Sequence, residues 1–182
     1  MKAILSLKVS LQSIIYRIDL LRRKVLGPSN QPQQLYTNVQ LDAPLTVTLL
    51  TTLDMDAPHP VIVDVREESN TAVDFLNILV YWIENGYLIA GDFLIVDNAT
   101  VHVADEIWDA ILALCSSAGI SFRLLPCYSP ELNPCELVFG FMKNYLRKWR
   151  GDDRFWLEIL HAVAQLTYSQ LVAFYHHCMV LK

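Results

Sequence analysis

Apolar and polar positions change period several times along this chain, and each change marks an element. Residues 45–53 (LTVTLLTTL) concentrate β-branched side chains and read as a strand. The turn-forming stretch 54–60, with Asp56, Pro58 and Pro60, separates it from a second such run, 61–65 (VIVDV). The two read as a hairpin. Residues 71–84 are apolar nearly all round, the pattern of a buried helix. Residues 93–96 (FLIV), bounded by Gly91 and Asp97, form the short continuous apolar run of a strand covered on both faces. Ile107, Trp108, Ile111, Leu112 and Cys115 then recur at helical spacing, which predicts a helix over 103–115.

A further strand is predicted over 120–125, ended by Pro126. A loop carrying Ser129-Pro130 and Asn133-Pro134 follows, and then two helices, over 134–150 and 155–177. Residues 27–34 (GPSNQPQQ) read as a loop by composition. A hairpin followed by strand–helix–strand crossovers describes an α/β fold, a mixed sheet flanked by helices. This is a ribonuclease H-like plan provided that one more strand lies before Leu45, and that first strand stays open at this point. The domain organisation expected is an amino-terminal segment (1–44) with the first strand and a basic loop, a core (45–150), and a carboxy-terminal helix packed on the core (151–182).

Composition narrows the class. With 53% hydrophobic and 18% charged residues in 182, the chain has a globular composition and room for one substantial core. The longest apolar run, 78–83, is too short to cross a bilayer, so no membrane association is expected. The apolar start imitates a signal peptide, but Lys8 interrupts it and no small-residue cleavage site follows. A mitochondrial presequence stays open, because no acid precedes Asp19. Cys115, Cys127, Cys135 and Cys178 lack zinc-site spacing and read as free thiols, pointing to an intracellular location. The net charge of −5 does not favour a nucleic-acid partner, yet Arg22, Arg23 and Lys24 cluster early and Lys143, Arg147, Lys148 and Arg150 later. Local patches, not the sum, meet phosphates.

Two acids carry candidate chemistry. Asp97 closes a buried strand, at the edge where α/β sheets present functional groups; equally, Asp and Asn end strands as turn formers. Glu136 is the third residue of a helix opened by Asn133 and Pro134, so a capping box accounts for it without chemistry. At about 100° per residue, Glu136, Gly140, Lys143, Arg147 and Arg150 share one stripe, an acid followed by cations. Leu137, Val138, Phe141, Tyr145, Leu146 and Trp149 are expected to face the core. Carboxylates on separate rigid elements suit Mg²⁺ or Mn²⁺, and the cationic track suits a phosphate backbone. No small-molecule cofactor is called for. His102 is read first as packing at a helix start, or capping it, and Trp108, Trp149 and Trp156 as core. Tyr128, Pro126 and Pro130 are read as shaping the loop before Glu136.

Three segments share an order with a known family: LIVDNATVH (94–102), LLPCYSPELNPCE (124–136) and FMKNYLR (141–147). Together they resemble the second half of the catalytic domain of mariner-like and related bacterial insertion-sequence DDE transposases. A weaker resemblance runs back through 46–75 and to RRKVLGPSNQP (22–32). The resemblance implies that Asp97 and Glu136 are the second and third catalytic acids and metal ligands. It also implies two divalent ions, transposon-end and target DNA as partners, DNA strand cleavage and transfer, and a homodimer. Lys143, Arg147, Arg150, Arg22 and Arg23 are the DNA-contact candidates, and the nucleus the location in a eukaryote.

The chain departs from the family at its first acid. Residues 2–18 contain no Asp or Glu, and Asp19 is the nearest candidate, three residues from Arg22. The family's amino-terminal helix-turn-helix also has no counterpart. Three readings follow: an active enzyme with Asp19 as first acid, an inactive remnant that binds DNA or protein, and another ribonuclease H-like nuclease.

Overall fold

The computed structural model describes residues 7–12, 24–26, 32–34, 46–57, 59–66, 68, 70–99, 102–146 and 155–179. Among them the chain runs β1 (Leu7–Gln12), β2 (Lys24–Leu26), β3 (Pro32–Gln34), β4 (Thr46–Thr52), β5 (Val61–Arg66), α1 (Ala72–Glu84) and β6 (Phe93–Val96). It continues through α2 (Asp105–Ser117), β7 (Ser121–Leu124), a 3₁₀ turn (Pro130–Leu132), α3 (Pro134–Leu146), α4 (Phe155–Ala164) and α5 (Tyr168–Met179).

Five strands form one sheet in the order β5-β4-β1-β6-β7. The strand required ahead of Leu45 is β1, and it takes the middle place. It is antiparallel to β4 (Val9 opposite Thr51) and parallel to β6 (Val9 opposite Ile95). β4 and β5 are the expected hairpin, and β6 and β7 pair in parallel. The sheet is thus mixed, as in the ribonuclease H-like plan.

Helices cover both faces, because successive side chains of a strand point to opposite sides. Leu50, Leu94 and Val96 join Phe75, Leu79 and Trp82 of α1 and Ile107 and Ile111 of α2. Val47, Leu49 and Ile95 join Val138, Phe139 and Met142 of α3, with Ile159 of α4 and Leu171 of α5. β4 is buried along its whole length as a result. No helix among the described residues is long and apolar enough to cross a membrane. All four cysteines are free; Cys127 is exposed and the others are buried.

Four local expectations are corrected. Residues 32–34 are strand rather than loop, pairing with 24–26; Pro32 takes an end position, where a missing N–H costs least. The helix expected over 155–177 is two, and Thr167 starts the second. Its Oγ1 accepts from the Gln170 amide at 3.3 Å, while Gln170 Oε1 accepts from the Thr167 amide at 2.9 Å. That reciprocal cap favours a new helix start over continuation. The core face of α3 is Cys135, Val138, Phe139, Met142 and Leu146, whereas Leu137 and Phe141 lie on its half-buried flank. Packing by α4 and α5 extends burial to the Cys135–Phe139–Met142 side. Trp156 is 51% exposed rather than core; Trp149 lies outside the described residues.

Candidate active site

β6 gives up its sheet pairing at Val96, opposite Leu124 of β7 and Ser10 of β1. The Leu125 amide donates to the Val96 carbonyl at 2.8 Å, closing that end of the strand. Asp97 is therefore the first residue beyond the sheet, held by a rigid element yet half-buried rather than enclosed. The Asn98 side-chain amide donates to the Leu125 carbonyl, tying this turn to the loop that leads to α3.

The Asp97 carboxylate is anchored on one oxygen. Oδ1 accepts from the Ala99 amide at 3.3 Å and lies 2.6 Å from His102 Nδ1. The same nitrogen is 3.2 Å from the Asp97 carbonyl. His102 is fully buried, its ring 4.2 Å from that of Phe75. The packing expected of His102 is present, and so is a bond to the acid that the sequence reading did not foresee.

Glu136 is delivered by the loop after β7. The Asn133 amide donates to the Pro130 carbonyl at 3.0 Å, and Asn133 Oδ1 accepts from the Cys135 amide at 3.0 Å. Asn133 is thus the helix cap, with Pro134 at the first position. A capping-box glutamate would accept from the Asn133 amide, but that hydrogen is already given to Pro130. The Glu136 amide donates to the Asn133 carbonyl at 3.1 Å, but its carboxylate has no hydrogen-bond donor among the described residues, so the capping role that would account for it without chemistry is absent. Tyr128, in the same loop, has a φ of 56° and a fully exposed side chain, so its ring does not pack to shape the loop.

Asp97 lies near enough to Glu136 for its charge to bear on that carboxyl. Burial raises the Glu136 carboxyl above its ordinary range, and the Asp97 charge raises it further. Two like charges at one place disfavour ionising both. The donors are carboxylate oxygens on two rigid elements, and their repulsion is what a hard divalent cation relieves, so the pair fits Mg²⁺ or Mn²⁺ in kind. Mg²⁺ is commonly held by one or two carboxylates with water and phosphate oxygens completing its shell; among the described residues no three His, Cys, Asp or Glu side chains gather to hold a metal. β1 runs beside β6 with Ser10 opposite Val96, so Leu11 is the residue level with Asp97. The strand reads LKVSLQ and contains no acid. Lys143 stands two turns after Glu136 on α3, half-buried. Asp19, Arg22, Arg23, Arg147 and Arg150 lie outside the described residues.

The sequence profile described as DDE superfamily endonuclease matches residues 19–155, well over half of the chain. The chain belongs to the DDE superfamily endonuclease family. Solved structures agree at the level of fold. A Mos1 transposase paired-end complex with left transposon end superposes with a TM-score of 0.67 at 13% identity, covering 94% of this chain and 52% of that one. A Mos1 mariner paired-end complex with Mn gives 0.66 at 14%, covering 94% and 52%. The Mos1 transposase catalytic domain with Raltegravir and Mg gives 0.59 at 14%, covering 94% and 77%. The DDE chain thus spans about half the length of the transposase chains it matches in the first two. No curated protein matches its sequence.

Proposed function

We propose that this chain is a DDE transposase catalytic domain whose Asp97 and Glu136 hold Mg²⁺ or Mn²⁺ against the backbone of transposon-end and target DNA. The observation that carries the reading is the placement of Asp97 just past the end of β6 and of Glu136 in the first turn of α3, near enough for their charges to interact. A divalent ion held there would neutralise phosphate charge and favour the hydroxide form of an attacking water. The chain's own part is to fix two acids through the β6 ladder, the Asn98 tie and the Asn133 cap. Lys143, with Arg147 and Arg150 further along the sequence, would receive the phosphates leading into the site, and Arg22 and Arg23 a second stretch. Work on DNA would suit a location inside the cell, and the nucleus in a eukaryote.

With two carboxylates gathered, the site is proposed to retain metal weakly and to leave DNA uncut. Mn²⁺ binding is followed by the electron paramagnetic resonance of the free ion. Weak binding, weakened further by Asp97→Asn or Glu136→Gln, is expected; indifference to both substitutions refutes the site. With Mn²⁺ and transposon-end DNA no cleavage is expected. Robust cleavage lost in Asp97→Ala overturns the incompleteness, and its loss in Asp19→Ala as well identifies Asp19 as the missing acid.

A further inference from the structure

His102 is placed in a way that packing alone does not explain. Its ring is fully buried against Phe75, and its amide donates to the Ala99 carbonyl at 2.8 Å, so both backbone and ring are fixed. Nδ1 faces two oxygens of Asp97, Oδ1 at 2.6 Å and the carbonyl at 3.2 Å. Both oxygens are acceptors, so Nδ1 carries the hydrogen. Nε2, by contrast, is buried without a partner among the described residues. A side chain kept only to fill this space would be better apolar, because an unpaired buried nitrogen costs stability and returns nothing. The bond to Asp97 is the interaction that offsets that cost.

The carboxylate is divided by this arrangement. Oδ1 is held by Ala99 and His102, while Oδ2 has no donor among the described residues. We infer that His102 is a positioning residue for Asp97: by occupying Oδ1 from a rigid, buried ring it fixes the carboxylate plane and reserves Oδ2 for a divalent cation. The inference rests on Asp97 being a metal ligand. Carboxylates that bind metals are themselves oriented by hydrogen bonds, and removing such a partner weakens metal affinity by about 10-fold or more.

The test uses the 182-residue chain and Mn²⁺, with free-ion resonance as one readout and thermal unfolding as the other. His102→Asn places an amide N–H where Nδ1 was, whereas His102→Gln places it near Nε2, beyond Asp97. His102→Leu fills the space without a donor. The expected result is that His102→Asn binds Mn²⁺ within about 3-fold of the parent, while His102→Gln and His102→Leu bind about 10-fold more weakly. His102→Leu should at the same time unfold no earlier than the parent. The comparison of Asn with Gln stands even if the Leu variant fails to fold. Equal Mn²⁺ affinity in Asn and Gln variants, or parental affinity in Leu, overturns the inference while Asp97→Asn still weakens binding. If Asp97→Asn leaves binding unchanged, the metal-ligand reading fails, and the role of His102 falls with it.

Discussion

The hydroxyls of Thr51 on β4 and Tyr175 on α5 meet at 2.8 Å in a place closed to solvent. Cys135, one residue before Glu136, brings its sulfur to 3.5 Å from the same Thr51 oxygen. One buried threonine therefore links the carboxy-terminal helix, the sheet and the first turn of the helix bearing the candidate acid. Tyr175→Phe removes this bond with little change in volume. It should lower the unfolding free energy by about 1 kcal/mol, read as a lower urea midpoint at unchanged slope.

Glu136 sets a pH dependence whose sign follows from its raised carboxyl. The folded chain holds this proton more tightly than the unfolded chain does. As pH rises through the carboxylate range, the unfolded form loses its proton first, and this group's contribution to stability declines until the folded form loses it too. Glu136→Gln should abolish that decline and be the more stable protein at neutral pH. Urea midpoints across an acid-to-neutral series check it. Asp97→Asn should bring the Glu136 titration, followed by carboxyl NMR, only part of the way down, because burial is the larger cause.

Tyr128 holds a left-handed backbone conformation with its ring wholly in solvent. For a residue with a β-carbon that conformation costs about 1–2 kcal/mol, against which a glycine loses more freedom on folding. Tyr128→Gly should therefore leave stability unchanged or raise it by up to about 1 kcal/mol in chemical denaturation. A clear loss of stability would show that the ring makes contacts absent from this conformation.

Charge reversal along the cationic stripe of the sequence tests the proposed DNA track. Lys143→Glu combined with Arg147→Glu should weaken DNA binding at every sequence. It should also reduce the slope of log affinity against log salt by about 2, near 0.9 for each lost phosphate contact. Fluorescence anisotropy over a salt series gives both numbers. An unchanged slope would make the stripe an ordinary solvated surface.

Much of the sheet was legible because β-branched runs stand between strong turn formers: Gly91 and Asp97 frame β6, and Pro126 follows β7. Strand β1 also carries a signal, since Leu7, Val9 and Leu11 alternate with Lys8, Ser10 and Gln12. Its central place did not show, because pairing with both Thr51 and Ile95 is a long-range relation that no local window contains. The Thr167–Gln170 cap was readable as a helix start and marks where one predicted helix becomes two. Asp97 and Glu136 were both singled out from their elements, but the capping explanation of Glu136 could be removed only by seeing where the Asn133 amide goes. The Asp97–His102 bond joins residues five apart in sequence, a spacing that neither helix nor strand periodicity relates.

Because β1 alone bonds to both β4 and β6, the β5-β4 pair and the β6-β7 pair touch each other's ladders nowhere. Proteolytic clipping before residue 13 would leave two separate ribbons with unsatisfied edges, inviting pairing with other chains in place of the lost strand. The candidate site thus owes its shape to a segment that lends it no carboxylate, and a shortened product would lose the site's geometry before losing either acid.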